Sequence, residues 1–363
     1  MIPWAKSEAN LLIEIGEEEF NKKLARVGGT DYLGNASTFQ LLHVFAFQGA
    51  ALSLLMLLDM GVDLFSTTQF GVNVLHLAAA GGSEDIVRLS LDRGFDVNLR
   101  VEGGKRLTPL MFAARMGHPI VVKLLLERGA EVDATDNDGN SILAHAAARG
   151  NESVVRILLD NGARTQCTNN KGCTALHHAS HNGHAMVIEK LIKYGAEVNG
   201  VDLDGFSSLR NAIYNNHAQA VRALLEKGAD PNLRGSDGLT PLAASVYMNS
   251  EEVVRLLVIA PGIDLEARVD GRGRTALKLA VDKMFPGVAQ ILVRGGADIW
   301  ARDNSGESPV SRSRRSDYPM RNIRKMLDEA ISQESGAERY GGQAEAAEPR
   351  WWEKLGRRMS RIW

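Results

Sequence analysis

Residues 169–198 read NNKGCTALHHASHNGHAMVIEKLIKYGAEV, and their punctuation decides the fold. A turn centred on Gly172 leads into a short helix from Thr174, Gly183 breaks that helix, and a more apolar helix from Met186 ends at Gly195. Glycine at a turn tip and after a helix supplies left-handed backbone at no steric cost, so both glycines serve geometry. A hairpin of this length leaves one apolar side without cover, and stacking on a copy of itself is the solution.

The same pattern is written along most of the chain. The leucine inside the first helix falls at Leu42, Leu75, Leu110, Leu143, Leu176, Leu209, Leu242 and Leu277, in steps of 33 or 35 residues. The glycine ending the second helix recurs at Gly61, Gly94, Gly129, Gly162, Gly195, Gly228, Gly262 and Gly296. With Thr108-Pro109-Leu110 and Thr240-Pro241-Leu242 opening helices and Gly129-Ala130-Glu131-Val132-Asp133 closing one, the period resembles the ankyrin repeat over residues 38–328. The resemblance implies an all-α solenoid of stacked helix-turn-helix units with β-hairpin-like finger loops. About eight full units and an incomplete terminal one are expected, the first at Thr38 to Phe65, the seventh and eighth at Ser236 to Ala267 and Asp270 to Arg302, the last at Asp303 to Asp328. Length then adds units and creates no domain boundary.

The ends do not fit the repeat. In residues 1–37, Leu11, Leu12, Ile15, Phe20 and Leu24 have helical spacing, and a capping helix is expected there. An F-box, which the resemblance raises at this place, is opposed by the short segment and the missing Leu-Pro opening. Residues 329–349 are small and polar and predict a flexible linker. The tail 350–363, RWWEKLGRRMSRIW, predicts a basic amphipathic helix. Trp351, Leu355 and Trp363 share its apolar side with Trp352 beside them, and Arg357 and Arg358 lie among its basic residues. Such a helix suits the last repeat of this chain, onto which its tryptophans would dock, an anionic membrane surface, or a groove in another protein. Ser316 after Arg314-Arg315, and Ser360 after Arg357-Arg358-Met359, match basophilic kinase sites, and phosphate on Ser360 would weaken the tail's attraction to anionic lipid.

Composition bounds the compartment and the partners. A net charge of −2 gives no whole-chain case for nucleic acid. Two cysteines, Cys167 and Cys173, make no disulfide framework, the N-terminus lacks the pattern of a signal peptide, and the apolar run Ala50 to Leu58 is too short to span a bilayer. These features predict a monomeric, intracellular protein, cytoplasmic or nuclear, that is neither secreted nor membrane-spanning.

Chemistry is sparse. His177, His178, His181 and His184 lie within eight residues, but His177 and His184 match ankyrin positions where histidine bonds neighbouring turns, and no Cys, Asp or Glu on that helix completes a metal shell. Cys167 and Cys173 are six residues apart without a second pair. Gly103, Gly104 and Lys105 fall short of a phosphate loop, because the earlier glycine and the Ser or Thr after the lysine are absent. No transferase motif or kinase loop is attached. The expectation is no enzyme, no cofactor and no metal.

The resemblance places partner binding on the finger tips and on the ends of the first helices. Those positions are Phe70, Val72 and Ala80, then Lys105, Leu107, Arg115 and Met116, then Asn137, Asn140 and Arg149, then Lys171, His181 and Asn182. Leu203, Phe206, Tyr214, Leu239, Tyr247 and Met248 follow as an expected apolar and aromatic patch, flanked by Arg272, Arg274 and Lys283. Truncating Phe206 and Tyr247 is expected to weaken partner binding by at least about 2 kcal/mol and to leave the fold intact. The function implied is a protein-protein interaction scaffold or adaptor. Its rivals are a membrane-peripheral adaptor held by the tail, and a non-catalytic subunit of an enzyme or an unrecognised enzyme.

Overall fold

The computed structural model of the protein describes residues 37–68, 71–102, 105–315 and 321–340. Eighteen helices and no strand are present among the described residues, and the chain divides into two compact units, residues 1–164 and 165–363. The expected cap at 1–37 lies outside the described residues except for its last position.

The first unit holds α1 (Ser37–Gln48), α2 (Ala51–Asp59), α3 (Val74–Gly81), α4 (Glu84–Asp92), α5 (Pro109–Met116), α6 (Pro119–Glu127), α7 (Ile142–Ala148) and α8 (Glu152–Asp160). The second holds α9 (Ala175–His181), α10 (Ala185–Lys193), α11 (Ser208–Tyr214), α12 (Ala218–Glu226), α13 (Pro241–Tyr247), α14 (Glu251–Val258), α15 (Ala276–Asp282), α16 (Pro286–Arg294), α17 (Pro309–Ser313) and α18 (Arg321–Tyr340). Within each unit the first helix of a repeat packs on the first helix of the next, and from α4 onward the second packs on the second.

These helices are too short to be stable alone, so their ends and buried faces decide them. Asn73, Thr108, Ser141, Ser207, Thr240, Thr275 and Ser308 each cap a first helix by accepting the N–H three residues on. The eight periodic leucines are at most 1% exposed. Burying each such side chain stabilises by about 2 kcal/mol relative to leaving it in water.

The fingers close on single acceptors. Asp136, Asn169, Asp202, Asp270 and Asp303 each use Oδ1 to accept two finger N–H groups, as Asp202 does from Asp204 at 3.1 Å and Phe206 at 2.9 Å. The expected β-hairpin character is reduced to two isolated bridges, Thr135 to Ser141 and Val201 to Ser207.

A second set of polar groups ties one repeat to the next. Asn98 in the first unit, and Asn199 and Asn232 in the second, donate through Nδ2 to the following repeat's closing glycine and accept through Oδ1 from an N–H two residues beyond it. Glu266 occupies the same place and accepts from the Asp298 N–H at 2.8 Å, while its Oε2 has no partner.

The turn after each first helix needs a positive φ. Gly183 provides it at +79°, where a Cβ would stand 2.6 Å from the His217 ring, whereas Asn216, Asn249 and Met284 adopt 55°, 52° and 60° in the three following repeats. The sequence reading placed a linker from 329, but α18 runs on to Tyr340 in helical conformation. Good helix formers such as Glu329, Ala330 and Gln333 continue the helix that Ile323 and Leu327 bury on the last repeat.

Candidate binding surface

The residue after each periodic leucine faces the next repeat. It is His43, His76, Met111, Ala144, His177 and Ala243 in six repeats, but Arg210 and Lys278 in two others, and these are the largest fully buried side chains among the described residues at 1% and 2% exposure. A buried cation must be paired, and each is met by the following finger.

Arg210 on α11 pairs through Nη2 with the Asp237 carboxylate. It donates through Nη1 to the Leu239 carbonyl at 3.1 Å and through Nη2 to the Tyr214 hydroxyl at 3.1 Å, while Nε has no partner. The Tyr214 hydroxyl donates to Asp237 at 3.2 Å. The guanidinium carbon lies 4.7 Å from the Tyr214 ring centroid and 5.7 Å from that of Phe206, and the two rings meet edge to face at 6.1 Å. One arginine therefore fixes two aromatic rings and the next finger.

Lys278 on α15 reaches Asp282 at 2.8 Å, Glu307 at 3.0 Å and Asp303 at 3.3 Å. Burial alone would lower its pKa, but Asp282 and Glu307 raise it. Burial likewise pushes Asp303 up, and hydrogen bonds from Ser305 and Glu307 with Lys278 bring it down to about 2. Neither buried cation was singled out in the sequence. The available signal was a charged residue at a phase where other repeats carry His, Ala or Met.

Of the expected patch, the structure joins Phe206 to Tyr214, and Tyr247 to Lys283, whose Nζ stands 5.5 Å over the Tyr247 ring. Leu203, Tyr214 and Met248 remain 78%, 40% and 45% exposed. Leu239 and Tyr247 are half-buried. Phe206 is also half-buried, and its ring would stand 3.0 Å from a Cβ on Gly235 of the following finger. Truncating it therefore removes packing from the fold, against the expectation of an intact structure. Arg272 is exposed, but Arg274 is withdrawn into ion pairs with Asp270 and Asp282 and flanks nothing.

In the first unit Met116 is 51% exposed and Arg115 half-buried, its pKa lowered by burial and then by Arg149. Val72, Ala80 and Leu107, expected on the binding face, are buried at 5%, 6% and 3%, because their side chains fill the stacking interface. Asn140 is spent on Asp136, which also bonds His145 at 3.0 Å. Lys105 pairs with Asp138. Phe70, Ser316, Ser360, the tail residues Trp351, Trp352, Leu355, Arg357, Arg358 and Trp363, and the glycines Gly103 and Gly104 lie outside the described residues.

The four histidines do separate things. His177 is buried and bonds the Thr174 hydroxyl at 2.9 Å, His178 lies 3.4 Å from the Asn169 amide, His181 meets the Asn215 amide at 3.1 Å, and His184 precedes α10. Among the described residues no three His, Cys, Asp or Glu side chains are grouped to hold a metal ion. Cys167 and Cys173 are not joined in a disulfide, and burial together with Asp202 pushes Cys173 up to about 11. No helix among the described residues is long and apolar enough to cross a membrane.

Capped helix pairs stacked through buried leucines and forward-reaching polar clasps define a helical repeat protein. The chain belongs to the ankyrin repeat family, whose model (ankyrin repeats, three copies) matches it in overlapping windows at 42–136, 122–202, 143–235, 189–269 and 209–303. It is 36% identical over 100 residues to ankyrin repeat and KH domain-containing protein 1 of Homo sapiens, covering 28% of this chain and 4% of that one. Identity is 42% over 96 residues to a probable E3 ubiquitin-protein ligase of Oryza sativa subsp. japonica, covering 26% and 18%. It is 35% over 79 residues to protein phosphatase 1 regulatory subunit 27 of Homo sapiens, covering 22% and 50%. The chain thus spans only a small part of the longer relatives, and the ligase match lies in its ankyrin region.

Proposed function

We propose that the protein is an intracellular scaffold or adaptor that grips a segment of another protein with the surface carried by residues 203–283, acting as a monomer and without chemistry of its own. The observation that carries this reading is the exposure of Leu203, Tyr214 and Met248 beside an aromatic cluster pinned by a buried arginine. Large apolar groups kept in water on a rigid frame mark contacts, and tyrosine and methionine suit them. Lys283 on the Tyr247 ring and exposed Arg272 add a basic margin. Two cysteines not joined in a disulfide suit a reducing compartment. The basic tail at 350–363 is assigned to localisation or regulation on its sequence alone.

The test compares partners captured by the full chain and by its Leu203→Glu, Met248→Glu variant, followed by titration of any partner found with the native chain. Both positions are exposed, so the circular dichroism spectrum stays that of the native protein. The affinity is expected to fall at least about 30-fold, equivalent to about 2 kcal/mol. Equal affinity of the two chains refutes the surface.

A further inference from the structure

Two arginines of the first unit are brought to one edge of the stack with no acid to meet them. Arg115 stands in the last turn of α5 and Arg149 just past the end of α7, and these first helices of neighbouring repeats pack on each other. Asn151 ties the two ends together. Its Nδ2 donates to the Ala114 carbonyl at 2.8 Å and to the Arg115 carbonyl at 3.2 Å, so the turn that carries Arg149 is fixed against the turn that carries Arg115. Arg115 is half-buried and Arg149 exposed, and among the described residues neither guanidinium makes a hydrogen bond or an ion pair. Other arginines of the same unit have one: Arg88 pairs with Glu84, Arg128 with Asp92 and Arg164 with Asp133.

Burial lowers the Arg115 pKa first, Arg149 lowers it further, and Asp136 opposes them by less. Asp136 is not free to turn toward them. Its Oδ1 accepts from the Asp138 and Asn140 N–H groups at 2.9 and 2.8 Å, its Oδ2 meets Asn140 Nδ2 at 3.1 Å and His145 Nε2 at 3.0 Å, and its side chain is 0% exposed. Asp138, at the tip of the same finger, pairs with Lys105. The stack itself requires no cation at either place, since the phase of Arg115 is filled by Ala80 and Ala148 in neighbouring repeats and that of Arg149 by Met116. Desolvation and a like charge both work against a cation, and a bound anion relieves both.

We propose that Arg115 and Arg149 form a phosphate site for a phosphorylated serine or threonine in a segment of a partner protein, with Met116 receiving an apolar side chain beside it. Such a phosphate carries close to two negative charges and three acceptor oxygens, enough for two guanidinium forks, whereas a carboxylate offers one charge and two oxygens. Arginine suits it better than lysine, because its planar fork bonds two oxygens at once. Met116, 51% exposed and next to Arg115 in the chain, supplies the apolar contact. The site lies in the first unit and stands or falls independently of the surface at 203–283.

The experiment uses the full chain and three end-capped peptides of the sequence Ala-Gly-X-Leu-Gly-Ala, in which X is phosphoserine, serine or glutamate. The titrations are run at low salt and about pH 7.5, where the phosphate is almost fully doubly charged. Binding is read by NMR from the backbone amides of Gly117 and Gly150, which follow Met116 and Arg149 in the chain. The phosphoserine peptide is expected to shift both signals saturably, the serine peptide neither, and the glutamate peptide to bind at least about tenfold more weakly. Arg115→Gln and Arg149→Gln should each weaken the phosphopeptide at least about tenfold. Arg149 is exposed, so its variant keeps the native circular dichroism spectrum and its loss of binding is not a loss of fold. Arg156→Gln, which changes an exposed arginine of α8, leaves the affinity as it was. Native affinity in Arg149→Gln, or equal binding of the serine or glutamate peptide, overturns the proposal. So does a gain of about tenfold in the Glu17→Gln, Glu18→Gln, Glu19→Gln variant, because the occupant would then be this chain's own acidic run.

Discussion

Replacing Asp237 by Asn removes one negative charge and little else. The amide oxygen still accepts the Leu239 N–H, which Asp237 Oδ1 does now at 3.0 Å, so the finger keeps its turn. Arg210, at 1% exposure, is left with two carbonyls, the Tyr214 hydroxyl and two ring faces, and with Nε already without a partner. Breaking a fully buried ion pair costs about 3–5 kcal/mol, because the surviving charge is stranded. Asp237 is itself 29% exposed and the rings shield part of the cation, so about 2 kcal/mol is expected here. The reverse change, Arg210→His, installs the residue found in phase at 76 and 177 and leaves Asp237 where water reaches it, and it should cost less than Asp237→Asn. The assay is urea unfolding followed by circular dichroism, with amide exchange in α11 and α13 to localise the loss, since repeats can open in parts. A double-mutant cycle should return a coupling of at least about 1.5 kcal/mol. A loss below about 0.5 kcal/mol for Asp237→Asn, or a larger loss for Arg210→His, refutes the stranded-charge argument.

Three further outcomes follow from buried or strained groups. His76 is held at a pKa of about 4 by burial, opposed by its bond to the Leu99 carbonyl, so the folded state keeps it neutral while the unfolded chain protonates from 6.5 downward. Stability of the first unit should therefore be full above pH 6.5 and fall by on the order of 3 kcal/mol as the pH drops to about 4, with a His76→Leu variant lacking that slope in acid unfolding. Burial first, then Asp298 and Asp264, raise the pKa of Glu266 above its ordinary value, against an opposing bond from the Asp298 N–H, so its contribution worsens as pH climbs from 4.5 through the raised value. Glu266→Gln should stabilise by about 1 kcal/mol at pH 7, as Gln166 at the same phase donates to the Gly195 carbonyl at 3.1 Å; no gain in a denaturation midpoint counts against this. Met284 holds a φ of 60°, and Met284→Gly should add about 0.5–1 kcal/mol of stability, a loss on thermal unfolding being the contrary result.

The period of the leucines and of the closing glycines was legible because each repeats a local rule, and a rule written eight times averages away its exceptions. What the sequence reading missed sits where a repeat breaks the rule. Arg210 and Lys278 drew no reading, since charged residues are rarely fully buried, and only the neighbouring finger shows that they are buried and paired. Arg274 was read as free for the same reason in reverse: its partners Asp270 and Asp282 are four and eight residues away, and only the fold brings both to one guanidinium. Val72, Ala80 and Leu107 were placed on the binding face by register, yet side chains of that size at those positions serve the stack. α18 continued past Asp328 because helix-forming composition outweighs the absence of apolar residues once a first turn is anchored.

The two buried cations also explain why the aromatic face belongs to repeats six and seven. A histidine or alanine at the forward-facing phase lets neighbouring repeats stack on shape alone. Arg210 makes that junction depend on Asp237, and through Tyr214 and Phe206 it makes the surface rings depend on the same pair. A ring fixed from beneath by a buried guanidinium loses little rotamer freedom when a partner covers it, so less of the contact energy is spent on ordering it. The junction that is costliest to assemble is therefore the one that presents pre-ordered aromatic side chains. Leu203 and Met248, which nothing anchors, supply the adaptable apolar margin around them.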